Sequence, residues 1–241
     1  MIRQKECMMG MNGWGVVQQY MDALRQHGRN GSLYRGQPNK NWKIVPSVFR
    51  DGQRGIRDLD GLSLWKREAA RFASPLPQDD VGWLILAQHY GIPTPLLDWS
   101  TSPLVGLFFA CDGPEHRNED GCVYRSRINN FKIIDYPRTI SLFKTPDNEG
   151  FLYTEKPLLI NAVGHNARST AQDSFLSLHY DADTSKTEPI VIFEVQASLK
   201  RDTLLTLEKL GHTAERLYSD ITRFADSFKG RLCGGVLPGW D

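Results

Sequence analysis

An arginine inside a short apolar strand is the first feature of this 241-residue sequence that suggests chemistry. The segment Tyr34-Arg35-Gly36-Gln37 lies in a predicted strand over 32–37 and places the Arg35 guanidinium within it. Burying that charge is costly unless an anion or a set of carbonyl oxygens receives its donors. Gly36 allows a ligand or a second chain segment to approach the backbone closely. The alternative is a structural arginine in an ion pair with an aspartate.

The stretch from Gln88 to Ser100 (QHYGIPTPLLDWS) carries polar groups of five kinds between two strongly apolar segments. A core built for packing alone does not need them. His89 ends a predicted helix, while Asp98 and Ser100 stand where a buried strand passes into the next helix. Helix N-termini offer free N–H groups to phosphates and carboxylates. The alternative is a set of helix caps and a hydrogen-bonded helix end, but the cluster as a whole favours a binding site.

A third polar segment, NARSTAQDSF at residues 166–175, comes just before a predicted strand. A loop that presents Arg168 and Gln172 at the start of a strand can direct both side chains into a cleft. The alternative is an ordinary polar turn, which its turn-forming residues equally allow. The segment is therefore a candidate second wall of a site that includes Arg35.

Composition and missing motifs exclude several classes of protein. Lys plus Arg number 29 and Asp plus Glu 28, so a net charge of +1 argues against binding nucleic acid by bulk charge. The chain has no phosphate-binding loop, no dinucleotide fingerprint, no nucleophile elbow and no zinc helix. Its four cysteines lie far apart and its histidines lack metal-ligand spacing, so no metal site is expected.

Targeting signals are also missing from the sequence. Residues 1–11 lack the apolar core of a signal peptide, and the longest apolar stretch, 104–111, is too short to cross a bilayer. We therefore expect a cytoplasmic protein that makes no membrane contact.

The elements that must position these residues form an α+β pattern. Helices are concentrated in the first half of the chain, strands in the second, and no regular βαβ alternation appears, which predicts one domain with a mostly antiparallel sheet. Apolar periodicity and capping signals predict helices over 13–28, 57–73, 80–90, 104–111, 198–210 and 213–229. Strands are predicted over 32–37, 96–99, 121–127, 132–136, 157–161, 174–179 and 190–196.

The three segments resemble the FRG domain family, which is named for a Phe-Arg-Gly segment. Here that segment reads Tyr34-Arg35-Gly36, and the stretch His89–Ser100, followed by Pro103 to Ala110, is similar to the family signature. Arg168, Gln172 and Phe175 are similar to a third, looser segment. The resemblance implies an FRG-like domain over 30–230, preceded by a helical segment over 1–29 and followed by a tail over 231–241.

A more distant resemblance, to the arginine–serine–glutamate class of ADP-ribosyltransferases, implies an ADP-ribosyltransferase-like fold and NAD as the substrate. It assigns catalysis to Arg35, Ser100 and Gln172, with Arg35 on the phosphates and Ser100 beside the nicotinamide. Gln172 or Asp173 occupies the position of the catalytic glutamate, since no Gln-x-Glu or Glu-x-Glu is present, and Glu194 is the reserve candidate. The residues expected to bind NAD are Tyr34, Arg35, Gln37, His89, Asp98, Ser100 and Arg168.

These resemblances imply an ADP-ribosyltransferase-like toxin or phage-defence effector that modifies a protein or a nucleic acid and is neutralised by an antitoxin. The alternative is a binding module that keeps the cleft, has lost catalysis, and recognises a nucleotide or a partner protein. The missing glutamate favours this alternative.

Overall fold

The computed structural model describes residues 12–27, 31–134, 143, 156–162, 170–218, 225 and 228. Within them the chain forms six α-helices and seven strands. The helices are α1 (Gly13–His27), α2 (Leu59–Ala69), α3 (Asp80–His89), α4 (Pro103–Cys111), α5 (Lys200–Lys209) and α6 (Ala214–Tyr218). None of these described helices has the length and apolar character needed to cross a bilayer.

A single sheet of seven strands organises the described residues. The strands are β1 (Ser32–Gln37), β2 (Leu96–Ser100), β3 (Gly121–Arg127), β4 (Lys132–Ile134), β5 (Leu158–Asn161), β6 (Ser174–Leu178) and β7 (Ile190–Val195). Their order across the sheet is β4-β5-β6-β2-β1-β3-β7, and every neighbouring pair is antiparallel except β4–β5. The predicted α+β class with a mostly antiparallel sheet is confirmed.

Side-chain caps and glycines set the helix boundaries around the site. Asp58 and Asp79 each accept a hydrogen bond of 2.8 Å from a backbone N–H in the first turn of α2 and α3. After α3, Gly91 has a φ of +79°, the left-handed conformation that ends many helices. The predicted range 57–73 for α2 was too long, because the helix ends at Ala69 and the side chain of Phe72, which that range includes, is 79% exposed.

Two glycines allow α4 to lie directly against β1. A Cβ on Gly36 would stand 2.0 Å from the carbonyl oxygen of Gly106 and 2.4 Å from the amide nitrogen of Ala110. A Cβ on Gly106 would be 3.1 Å from the Cβ of Tyr34. The second chain segment that approaches Gly36 is therefore helix α4, and the contact fixes the helix beside Arg35.

Apolar side chains divide into two large clusters and a small one. One cluster packs α1, α4 and α5 against β1, β3 and β7, with Tyr20, Phe108 and Leu207 at its centre. The second packs α2 and α3 against the β2–β6–β5 half of the sheet. The third cluster is centred on Leu33 and Trp99. The helix groups thus hold the two halves of the sheet on either side of the β1–β2 junction.

A buried polar row crosses β2 and β6. The Trp99 indole donates to Ser177 Oγ at 2.9 Å, and Ser177 Oγ lies 2.7 Å from His179 Nε2. His179 is 3% exposed, and burial lowers its pKa from 6.5 to about 4, with the nearby Asp181 opposing the shift and Arg35 adding to it. The folded protein therefore keeps this imidazole neutral.

The free energy of unfolding should consequently fall as the pH drops. Below pH 6.5 the unfolded chain protonates His179 while the folded chain does not, so stability present above that pH is lost down to about pH 4. A difference of this size corresponds to about 3 kcal/mol. Denaturant unfolding of the wild type and His179→Gln between pH 7 and pH 4 measures this difference. The free energy of unfolding of the variant should fall less steeply as the pH drops. Parallel pH profiles for the two proteins would contradict the assignment.

Candidate functional site

Five of the predicted site residues meet at the junction of β1 and β2, where the described strands of the sheet share the fewest paired positions. Strands β1 and β2 share one registered position, Tyr34 opposite Ser100, whereas β1 and β3 pair at six. A cleft of about 220 Å³ lies at this junction, below α4. Its walls are formed by Tyr34, Arg35, Gly36, Asp98, Trp99, Ser100, Val105, Gly106, Phe109, Gln172 and Tyr218.

Arg35 lines the cleft and carries a buried positive charge with no ion-paired carboxylate among the described residues. Its Nη1 donates to the main-chain oxygen of Asp98 at 2.7 Å, and its Nε is buried without a hydrogen-bond partner among the described residues. Burial lowers the pKa of Arg35 from its ordinary value, and the nearby Asp98 carboxylate opposes that shift. Within the described part of the chain, no carboxylate lies within the 4.0 Å of an ion pair. The structure thus disagrees with the alternative of an arginine ion-paired to an aspartate.

Asp98 is the carboxylate of the cleft wall, and its side chain is held from α3. Gln88 Nε2 donates to Asp98 Oδ2 at 2.7 Å, and Gln88 Oε1 accepts from Thr94 Oγ1 at 2.7 Å. The Thr94 backbone in turn exchanges two hydrogen bonds with the Ser47 hydroxyl. A continuous chain of polar contacts therefore connects the cleft to the segment that carries Ser47.

Ser100 and Gln172 line the cleft and are already hydrogen-bonded inside the protein. The Ser100 hydroxyl donates to the main-chain oxygen of Gln172 at 2.6 Å and accepts from the Ser102 N–H at 3.0 Å. Gln172 Nε2 donates to the Leu217 carbonyl at 2.8 Å, and its Oε1 accepts from Ser174 at 3.3 Å. The two residues thereby join β2, β6 and α6 into one wall.

Aromatic rings form the remaining surface of the cleft. Phe109 of α4 and Tyr218 of α6 pack edge to face with ring centroids 5.8 Å apart, and the Tyr218 hydroxyl donates to Asp112. Tyr34 and Trp99 also line the cleft. Phe109 belongs to the motif Pro103 to Ala110 but was not predicted as a site residue. Tyr218 was not predicted either, since its helix carries no signal in the sequence that it reaches β1.

Some predicted site residues lie outside the cleft wall. His89 and Gln37 do not line it, although Gln37 is 2% exposed and its Oε1 has no hydrogen-bond partner in the described chain. Arg168 falls outside the described residues. Asp173 is exposed, and the reserve candidate Glu194 is an exposed partner of Lys40 at 2.9 Å. The cleft therefore unites Tyr34, Arg35, Asp98, Ser100 and Gln172.

The family comparison agrees with the first two sequence motifs. The model of the FRG domain matches residues 30–119, a range that includes Arg35, Asp98, Ser100 and α4. The match stops before Gln172 and Tyr218, which complete the cleft in space. Comparisons with curated proteins and with solved structures gave no match.

Proposed function

We propose that this chain, which carries an FRG domain at residues 30–119, binds NAD in the β1–β2 cleft and transfers its ADP-ribose to an acceptor. The observation that carries the proposal is Arg35, a residue of the cleft wall whose buried Nε has no hydrogen-bond partner and whose guanidinium has no ion-paired carboxylate among the described residues. A pyrophosphate accepts parallel hydrogen bonds from such a fork and neutralises its charge.

The lining and the volume of the cleft suit a ligand that carries both an anionic group and an aromatic ring. Tyr34, Phe109 and Tyr218 offer aromatic faces and edges that suit a nicotinamide or another base. A volume of about 220 Å³ is below the range of about 300–1,000 Å³ typical of complete small-molecule sites. We infer that the cleft receives the nicotinamide end and one phosphate, while the adenosine lies outside it.

The proposed reaction breaks the bond between nicotinamide and the ribose C1′, which gives the ribose oxocarbenium character. A carboxylate beside the ribose stabilises that developing positive charge. Asp98 is the carboxylate of the cleft wall, whereas both ends of the Gln172 amide are hydrogen-bonded within the protein. We therefore propose that Asp98 supplies the charge and that Gln172 holds α6 and Tyr218 in position.

The proposal extends to a biological role as a toxin or defence effector. ADP-ribosylation of a protein or nucleic acid would inactivate the acceptor, and a neutralising antitoxin would then be the expected partner. The near-balance of 29 basic and 28 acidic residues means that a nucleic acid acceptor would have to be recognised locally.

A second candidate function is nucleotide binding without catalysis. The hydroxyl of Ser100 and the amide of Gln172 are both satisfied by protein groups, so neither is free for a substrate as the structure stands. That observation favours a module that keeps the arginine and the aromatic walls but does not turn NAD over.

One incubation separates the two candidates. Purified protein is mixed with NAD that carries a radiolabel in its adenylate phosphate, together with cell lysate, and free nicotinamide and labelled macromolecules are measured. Label on protein or nucleic acid with stoichiometric nicotinamide release supports the transferase. Saturable NAD binding by calorimetry without release supports the binding module. Absence of binding would overturn both.

A further inference from the structure

We propose that Gln88 is a positioning residue that turns the Asp98 carboxylate toward α3 and so keeps Arg35 available for an anionic ligand. The inference rests on the proposed function, since the ligand it concerns is the phosphate part of NAD. It assigns a role to a residue that lies outside the cleft wall and touches neither the ligand nor Arg35.

The orientation of the Gln88 amide follows from its neighbours. Thr94 Oγ1 accepts a hydrogen bond of 3.4 Å from the Leu96 N–H, and its own proton points to Gln88 Oε1 at 2.7 Å. With the amide oxygen engaged by a hydroxyl donor, the amide nitrogen must face Asp98 Oδ2, 2.7 Å away. Thr94 is fully buried, so this arrangement is anchored in the protein core.

Opposite charges stand close together in the cleft without pairing. The Arg35 guanidinium donates to the main-chain oxygen of Asp98 at 2.7 Å. Burial lowers the pKa of Arg35, and the Asp98 carboxylate opposes that shift. Nevertheless the two charged groups do not approach within 4.0 Å, and Arg35 Nε stays unpartnered within the described chain. Gln88 donates to Oδ2 of the Asp98 carboxylate and thereby sets the orientation of that carboxylate.

Loss of the Gln88 donor would change the charge of the cleft. Released from α3, the Asp98 carboxylate would turn to Arg35, a cation of the same cleft without an ion-pair partner among the described residues, because a partly buried ion pair is favoured over two separated charges. The internal ion pair would then compete with the phosphate of the ligand. Gln88 therefore acts through Asp98. Its hydrogen bond prevents Asp98 from forming an ion pair with Arg35 that would neutralise the site.

The test measures NAD binding by calorimetry in Gln88→Ala, in the length-matched Gln88→Met and in Gln88→Ala/Asp98→Asn. Gln78→Ala is the control, because Gln78 is exposed and donates only to a neighbouring carbonyl. We expect Kd to rise about tenfold in both single variants, and most of the affinity to return in the double variant, where no carboxylate competes. If Gln88 had a merely structural role, the double variant would bind NAD more weakly than either single variant. That result would overturn the proposal.

A crystal structure of Gln88→Met separates this inference from the proposed function. We expect an Asp98 carboxylate oxygen within about 4 Å of an Arg35 nitrogen, whether or not the protein binds NAD. An Asp98 side chain that stays turned toward α3 without the amide would overturn the inference. Failure of the wild type to bind NAD would instead count against the proposed function alone.

Discussion

Arg35→Ala is expected to raise the Kd for NAD about 100-fold, which corresponds to a loss of about 3 kcal/mol of binding free energy. The reason is that the variant removes a charged donor group whose Nε has no partner inside the described protein. Arg35→Lys should also bind weakly, because an ammonium cannot offer two parallel donors to a pyrophosphate. Calorimetric titration of the three proteins with NAD gives the comparison directly.

The fold of Arg35→Ala should survive, since the substitution removes one hydrogen bond to a main-chain oxygen and no ion pair. A stability loss of about 1 kcal/mol is expected. Arg57→Ala is the matched control, because Arg57 also donates to main-chain oxygens, at Val48 and Gln53, but lies outside the cleft. If Arg35→Ala aggregated or melted far below the control, the arginine would be structural and the binding assignment would fail.

Gly36→Ala should unfold the protein or reduce its free energy of unfolding by more than about 4 kcal/mol, at the extreme of single substitutions. The added Cβ would lie 2.0 Å and 2.4 Å from main-chain atoms of α4, which cannot move aside as a flexible side chain can. Helix α4 would have to shift away from β1 and carry Phe109 with it. Denaturant unfolding followed by circular dichroism measures the loss.

Gly52→Ala provides the comparison for that experiment. Gly52 has a φ of +73° and no heavy atom within 4 Å of an added Cβ, so its substitution tests backbone strain without a clash. The cost should be about 1–2 kcal/mol, the usual penalty for a left-handed alanine. Equal unfolding midpoints for the two variants would show that α4 does not press on β1 as described.

Local signals were sufficient to predict most of the elements. Turn residues bound β1 and β3, and their predicted ranges, 32–37 and 121–127, agree with the structure. Aspartate caps and Gly91 predicted α3 nearly residue by residue. The α2 prediction ran too far because an apolar period can continue past the last helical turn, and only the packing reveals that Phe72 faces solvent.

The segments that form the site could be predicted from the sequence, but the directions of their side chains and the contacts between them could not. The position of Gln172 just before a predicted strand did not determine where its side chain points, because Gln172 lies in a turn and Asp173 has a φ of +47°. Gln172 nonetheless reaches the cleft, since β6 pairs with β2 and its turn meets the end of that strand. Tyr218 could not be foreseen, because its place depends on the contact of α6 with Gln172 across the fold.

The most direct test of the central claim is a crystal structure of the protein soaked with NAD. We expect electron density in the β1–β2 cleft with a phosphate oxygen about 3 Å from a guanidinium nitrogen of Arg35 and the nicotinamide against Phe109 or Tyr218. NAD bound elsewhere, or a ligand in the cleft whose phosphates lie beyond hydrogen-bond distance of Arg35, would contradict it.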